Sequence, residues 1–161
     1  MNNEKNYVPK NLGQLRSYVA SQILDSLLEK VGASIHDNPS LSEISSYEEV
    51  SFYDFALEGV CYAFSNYIED IIHSLPDDKR NLIDAKEFKN YLKSNKIFEI
   101  SEQEGGGEGG AEECHTVMKA GDRYFLFEYS YYSHHGFDIF ESNKVVEVKP
   151  RQVEVTKFFP A

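Results

Sequence analysis

Apolar residues recur at helical spacing along the first part of the chain. Leu12, Leu15, Val19, Ile23 and Leu27, flanked by Leu24, Leu28 and Val31, form one continuous stripe. Asn11, with Gln14 three residues on, predicts the start of this helix, and Gly32 predicts its end. Residues 33–45 are rich in Ser, Asn, Asp and Pro and predict a loop with one turn at Leu41 to Ile44. A second helix, capped by Ser46 with Glu49 or by Ser51 with Asp54, is predicted to present Tyr53, Leu57, Val60, Phe64, Tyr67, Ile68, Ile71 and Leu75, with Phe52, Phe55 and Tyr62 widening that face. It ends before Pro76 and lies between the sheet and the first helix. Asp84 with Glu87 opens a third, short helix through Phe88, Tyr91 and Leu92 to about Asn95.

The period then changes from 3.6 to two. Ile97 to Ile100 begins an edge strand, and Arg123 to Tyr132, free of Gly and Pro and dense in large side chains, is the strongest strand in the chain. Gly121-Asp122 closes a two-residue hairpin that sets Cys114, Thr116 and Met118 beside Tyr129, Phe127 and Phe125 on one face. A three-residue loop, Ser133-His134-His135, with Gly136 in a left-handed or bulged conformation, sets Tyr131 opposite Phe137 and Tyr129 opposite Ile139. Turns at Ser142-Asn143 and Pro150-Arg151 then pair Ile139 with Val146, Phe137 with Val148, Val148 with Val153, and Val146 with Val155 on the same buried face. The opposite face carries Lys119, Val117, His115, Tyr124, Leu126, Glu128, Ser130, Tyr132, Asp138, Phe140, Val145, Glu147, Glu154 and Thr156, a mixture suited to docking.

These elements predict an α+β fold in which N-terminal helices pack on one face of a C-terminal antiparallel β-meander of about five strands. The 161 residues form one domain: a loose arm over 1–10, helices over 11–95, a flexible acidic Gly-rich loop over 102–113 and a sheet over 114–159.

Charge sharpens the picture, since 27 acids against 16 Lys and Arg leave a net charge of −11. From Val31 to Asp78 there are ten acids and no Lys or Arg, and from Ile97 to Met118 six more, again without a base, so sixteen of the 27 acids lie in two windows free of countercharge. Such a field repels nucleic acid and anionic lipid and steers toward basic partners. No apolar run reaches the ~20 residues of a membrane helix, and Met-Asn-Asn-Glu-Lys lacks the core of a signal peptide, which predicts a cytoplasmic protein.

Catalytic and metal chemistry is thinly represented. Cys61 and Cys114 fall at apolar positions and read as core residues, not a disulfide. The Gly-rich stretch 105–110 lacks a lysine and a GxxxxGKS/T pattern, so it is no phosphate loop. His115 opposite Glu128 could form a general base, but no nucleophile or oxyanion donor accompanies the pair. Cys114 and His115 point to opposite faces, and His134-His135 has no partner at ligand spacing. Neither a cofactor nor a metal is expected.

Helices first, a Gly/Glu loop, and an aromatic meander (Tyr124 to Tyr132, Phe137 to Glu141, Val145 to Val148, Val153 to Phe158) together resemble bacterial immunity proteins. The likeness is closest to those of contact-dependent growth inhibition systems that neutralise nuclease toxins. That resemblance implies a protein without enzymatic activity that binds one basic toxin domain. In one such group the toxin adds a β-hairpin to the immunity protein's sheet, which would make an edge strand the receiving site. The residues expected to dock are Tyr124, Glu128, Tyr132, Asp138, Phe140, Glu147 and Glu154, with Glu104, Glu108 and Glu112 of the Gly-rich loop. A DNA mimic, or another protein-binding inhibitor, would also need dense carboxylates, at phosphate-like spacing along a rod. A small enzyme would need a pocket around His115 and Glu128.

Overall fold

A computed structural model describes residues 7–95, 98–104 and 111–160. Helix α1 spans Leu12–Val31 and buries the predicted stripe: Leu12, Leu15, Val19, Ile23 and Leu27 are fully enclosed. The Asn11 side chain accepts from the Gln14 amide at 2.9 Å, and the Gln14 side chain accepts in turn from the Lys10 amide at 2.9 Å. The first bond satisfies a donor that the first turn leaves open, and the second ties the backbone preceding the helix to that turn.

The predicted second helix is broken into pieces. Short 3-10 turns at Pro39–Glu43 and Ser46–Glu49 precede a π-helical turn at Asp54–Glu58, followed by α2 (Val60–Ala63) and α3 (Ser65–His73). Gly59 separates them at φ 91°, ψ 158°, a conformation closed to side chains with a Cβ and incompatible with a continuous helix. The segment nevertheless bridges sheet and α1 as expected. The Ala56 carbonyl accepts from the buried Thr116 hydroxyl (3.4 Å), and the Tyr67 hydroxyl donates to the Ala20 carbonyl (3.3 Å). A short α4 (Asp77–Arg80) was not anticipated, whereas α5 (Ala85–Ser94) starts as predicted, with Asp84 accepting from the Glu87 amide at 2.8 Å.

Among the described residues the sheet has five strands: β1 (Phe98–Glu104), β2 (Ala111–Ala120), β3 (Arg123–Tyr132), β4 (Gly136–Asp138) and β5 (Val145–Val148). The α+β layout is as the sequence implied, with helices on one face. Cys114, Met118, Phe125, Phe127 and Tyr129 join the core, and Tyr18 of α1 meets Phe125 edge-on at 5.7 Å. The β2–β3 register matches the expectation at every named pair. So does the three-residue loop, which brings Tyr132 opposite Gly136 and Tyr131 opposite Phe137, with Gly136 at φ 80°. The Gly-rich loop is shorter than expected, because 102–104 and 111–113 belong to β1 and β2; Glu108 lies outside the described residues.

The last two hairpins do not form as predicted. β4 ends at Asp138, and β5 pairs not with β4 but with β3, in the register Tyr124↔Val148, Phe125↔Glu147, Leu126↔Val146 and Phe127↔Val145. β4 and β5 thus lie end to end along one edge of β3. The Asn143 side chain fills the gap between them, donating to the Glu128 carbonyl (2.7 Å) and accepting from the Phe140 amide (2.8 Å). The same corner caps α1: the Leu12 and Gly13 amides donate to the carbonyls of Asn143 (3.0 Å) and Glu141 (3.1 Å). Beyond β5, residues 149–160 form no strand. The edge they were expected to join is taken at Lys144 and Val145 by the N-terminal arm, since Asn11 bridges Lys144 and the Val145 amide donates to the Lys10 carbonyl at 2.9 Å. Residues 7–10 are therefore anchored, not loose.

Gly13 sits where a Cβ would lie 2.5 Å from the Glu141 Cγ. Gly13→Ala should lower the unfolding free energy by about 1–2 kcal/mol, against the helix-propensity gain of up to ~1 kcal/mol. Adding Glu141→Ala should recover most of that loss in urea unfolding; a stabilised single variant would refute the close contact. Asn143→Ala should cost about 1 kcal/mol by orphaning the Glu128 carbonyl, and an unchanged midpoint would show that water replaces the amide.

Candidate functional site

One sheet face is sealed by the helices and the other is not. Strand alternation puts Glu99, Lys119, Tyr124 and Val148 in one row across the outer face, then Val117, Leu126 and Val146, then Glu104, His115 and Glu128, then Glu113, Ser130 and Asp138, with Tyr132 at the end. A bulge in β1 between Ile100 and Glu102 keeps this pattern in phase, because Ile100 faces Met118 on the core side while Glu104 faces His115 on the outer side. None of the apolar side chains in these rows belongs to the core or packs against it: Val117, Leu126 and Tyr124 are half-buried, Val146 is 43% exposed, and Phe140, just past β4, is 56% exposed.

The result is a low apolar stripe, Val117–Leu126–Val146, bordered by carboxylates and rings. Among the described residues, Glu99, Glu104, Glu113, Glu128 and Asp138 face Lys119 and His115, so acid predominates. Lys119 lies 5.8 Å from the centre of the Tyr124 ring, a cation held on the aromatic face. Ser130 donates to Glu113 at 3.4 Å.

The sequence placed Tyr124, Glu128, Tyr132, Asp138 and Phe140 on this face, and they lie on or beside it; Glu104, expected in the Gly-rich loop, stands instead in β1 opposite His115 on the same face. Three others are corrected. Glu112 pairs with Tyr131, so its parity is that of the core side at the end of the sheet. Glu154 lies in the irregular 149–160 segment and joins no face. Glu147 pairs with Phe125, one residue out of the expected phase, because β5 was assigned to the wrong neighbour and a one-residue slip exchanges the faces. The same slip buries Val145 and turns Val146 outward. Glu99 and Glu113 were missed. Glu113 follows from the β2–β3 register, but the strand was expected to start at Cys114, three residues late.

Glu147 has a different task. Arg123 Nε and Nη2 donate to its two carboxylate oxygens at 2.9 and 2.8 Å, while Nη1 donates to the Tyr7 carbonyl at 2.8 Å. The guanidinium also lies 5.0 Å from the Phe125 ring centre and 5.4 Å from that of Tyr18. It ties β3, β5, α1 and the N-terminal arm together. The Arg123 hydrogen bonds hold the Glu147 carboxyl below its usual range, and the carboxyl raises the Arg123 value further.

A cleft of about 560 Å³ lies elsewhere, between the 49–66 segment and α5, lined by Asp54, Cys61, Tyr62, Ser65, Lys89 and Lys93 among others. Lys89 donates to Ser65 at 2.6 Å and pairs with Glu69 at 3.3 Å, and burial pushes the Cys61 thiol above its ordinary value. Among the described residues no group of three or more His, Cys, Asp or Glu could hold a metal ion, and no helix is long and apolar enough to cross a membrane.

Glu147→Gln should lower stability at neutral pH by about 1 kcal/mol. Because the folded carboxyl titrates below the unfolded one, its contribution is present above about pH 4.3 and disappears as pH falls through the depressed folded value. Denaturation of wild type and variant at neutral and acid pH should therefore show a gap that closes in acid. A gap that persists there would assign the effect to packing.

Comparison with known protein families, with curated proteins and with solved structures finds no match for this chain.

Proposed function

We propose that the outer sheet face is a docking surface for a basic protein domain, and that the protein is an immunity protein which neutralises a cognate toxin, a nuclease being the best chemical fit. The observation that carries this reading is the combination of an uncovered apolar stripe with a carboxylate border on one rigid sheet. Rings at the rim, Tyr124, Tyr132 and Phe140, are suited to fill shallow pockets in a partner, while the acids draw in a cationic cleft such as nucleases present to their substrate. Electrostatics of this kind mainly accelerate association, whereas the apolar anchors mainly slow dissociation. The protein would act by occupying its partner's surface, with no chemistry of its own.

The two contributions separate in a kinetic experiment with a cognate toxin domain. Glu128→Lys combined with Asp138→Lys should reduce the association rate by about tenfold at low salt and flatten its ionic-strength dependence. Phe140→Ala should leave that rate nearly unchanged and raise the dissociation rate by about tenfold. Association at the wild-type rate after double charge reversal would remove the outer face from the interface.

A further inference from the structure

The segment after β5 has the composition of a strand and no strand to join. Val153, Val155, Phe158 and Phe159 are 75%, 72%, 93% and 81% exposed, and every described residue from Lys149 to Pro160 lies at the surface without a regular partner. Its charge also runs against the rest of the molecule: Lys149, Arg151 and Lys157 face a single acid, Glu154, in a chain of net charge −11. Alternation puts Arg151, Val153, Val155 and Lys157 on one side of an extended segment, two valines bracketed by two bases.

A matching acceptor exists on the same molecule. β1 is the edge of the sheet, paired only with β2 among the described residues, and its outer-face positions include Glu99 and Glu104, with no Lys or Arg between Phe98 and Glu104. Bulges and charges on an edge strand discourage indiscriminate pairing, so a strand of opposite charge is the kind that could add there. The Val117–Leu126–Val146 stripe begins on the strand next to it.

We propose that the 149–160 segment of one copy pairs as a strand with β1 of a second copy, so that the protein self-associates through its sheet edges. Arg151 and Lys157 then lie near Glu99 and Glu104, and the added strand covers the open backbone of β1. The chain cannot satisfy its own edge. β5 and a strand added beyond β1 are separated by four strand spacings, ~19 Å, while the three residues from Val148 to Arg151 span at most ~11 Å. The near edge, at β5, is occupied where Lys10 and Asn11 bond to Val145 and Lys144. Because donor and acceptor lie on opposite sheet edges, the contact is head-to-tail, and mass should grow past the dimer unless the rotation closes a ring.

Sedimentation of the full chain without any partner tests this, and so does not depend on the toxin reading. At ~0.05 M salt the weight-average mass should rise with protein concentration, and ~0.5 M salt should reduce that rise. Arg151→Glu with Lys157→Glu should weaken self-association by about tenfold, as should Glu99→Lys with Glu104→Lys. Combining all four should restore it to within about threefold of wild type. The 151 and 157 side chains are exposed and bonded to nothing that folding requires, so the first pair of changes probes association alone. A chain that stays monomeric to about 1 mM, or a fourfold variant no better than either pair, overturns the proposal.

Discussion

β3 is paired along its whole length, with β2 on one side and with β4 and β5 end to end on the other, so the alternation of its ten residues decides what is inside and what is outside. Phe125, Phe127 and Tyr129 point to the helices and anchor the core; Tyr124, Leu126, Glu128 and Ser130 point the other way and build the face toward solvent. Shifting that strand by one residue would place aromatic rings in water and a carboxylate in the core, a penalty far larger than marginal protein stability tolerates. Every feature of the candidate surface inherits its position from this strand.

Polar contacts hold the register at points where packing alone would not. The buried Thr116 hydroxyl donates to the Ala56 carbonyl and so accepts from the Tyr129 hydroxyl, 3.0 Å away, which locks β2 and β3 to the π-helical turn. Asn143 closes the gap in the β3 ladder, and the corner it organises caps α1. Arg123 then binds the far end of β3 to β5 and to the N-terminal arm. These are specific, directional bonds, and they explain why the edge beside β5 is occupied.

The separation of roles between Glu147 and the outer acids follows from the same geometry. A carboxylate that receives two guanidinium hydrogen bonds is already neutralised and contributes little to a long-range field. Glu128, Glu104 and Glu113 sit on the outer face with solvent access, where their charges add to a surface in which acid predominates. Acidic composition is therefore only half of the description, because the countercharge of each acid depends on which strand lies beside it.

Local patterns were enough for α1, α5, the Gly121-Asp122 hairpin and the loop ending at Gly136, since each is governed by neighbours a few residues apart: a capping side chain, an apolar period, a glycine where φ must be positive. They were also enough to mark Tyr124, Glu128, Tyr132, Asp138 and Phe140 as one surface, because hairpin register fixes parity without reference to the rest of the molecule. What β5 pairs with, whether residues 153–158 form a strand, and which acids face outward were settled only by tertiary structure. The edge of β5 goes to Tyr7–Asn11, more than a hundred residues away in sequence, and not to the 149–160 segment that follows it directly. No local pattern encodes which of them wins.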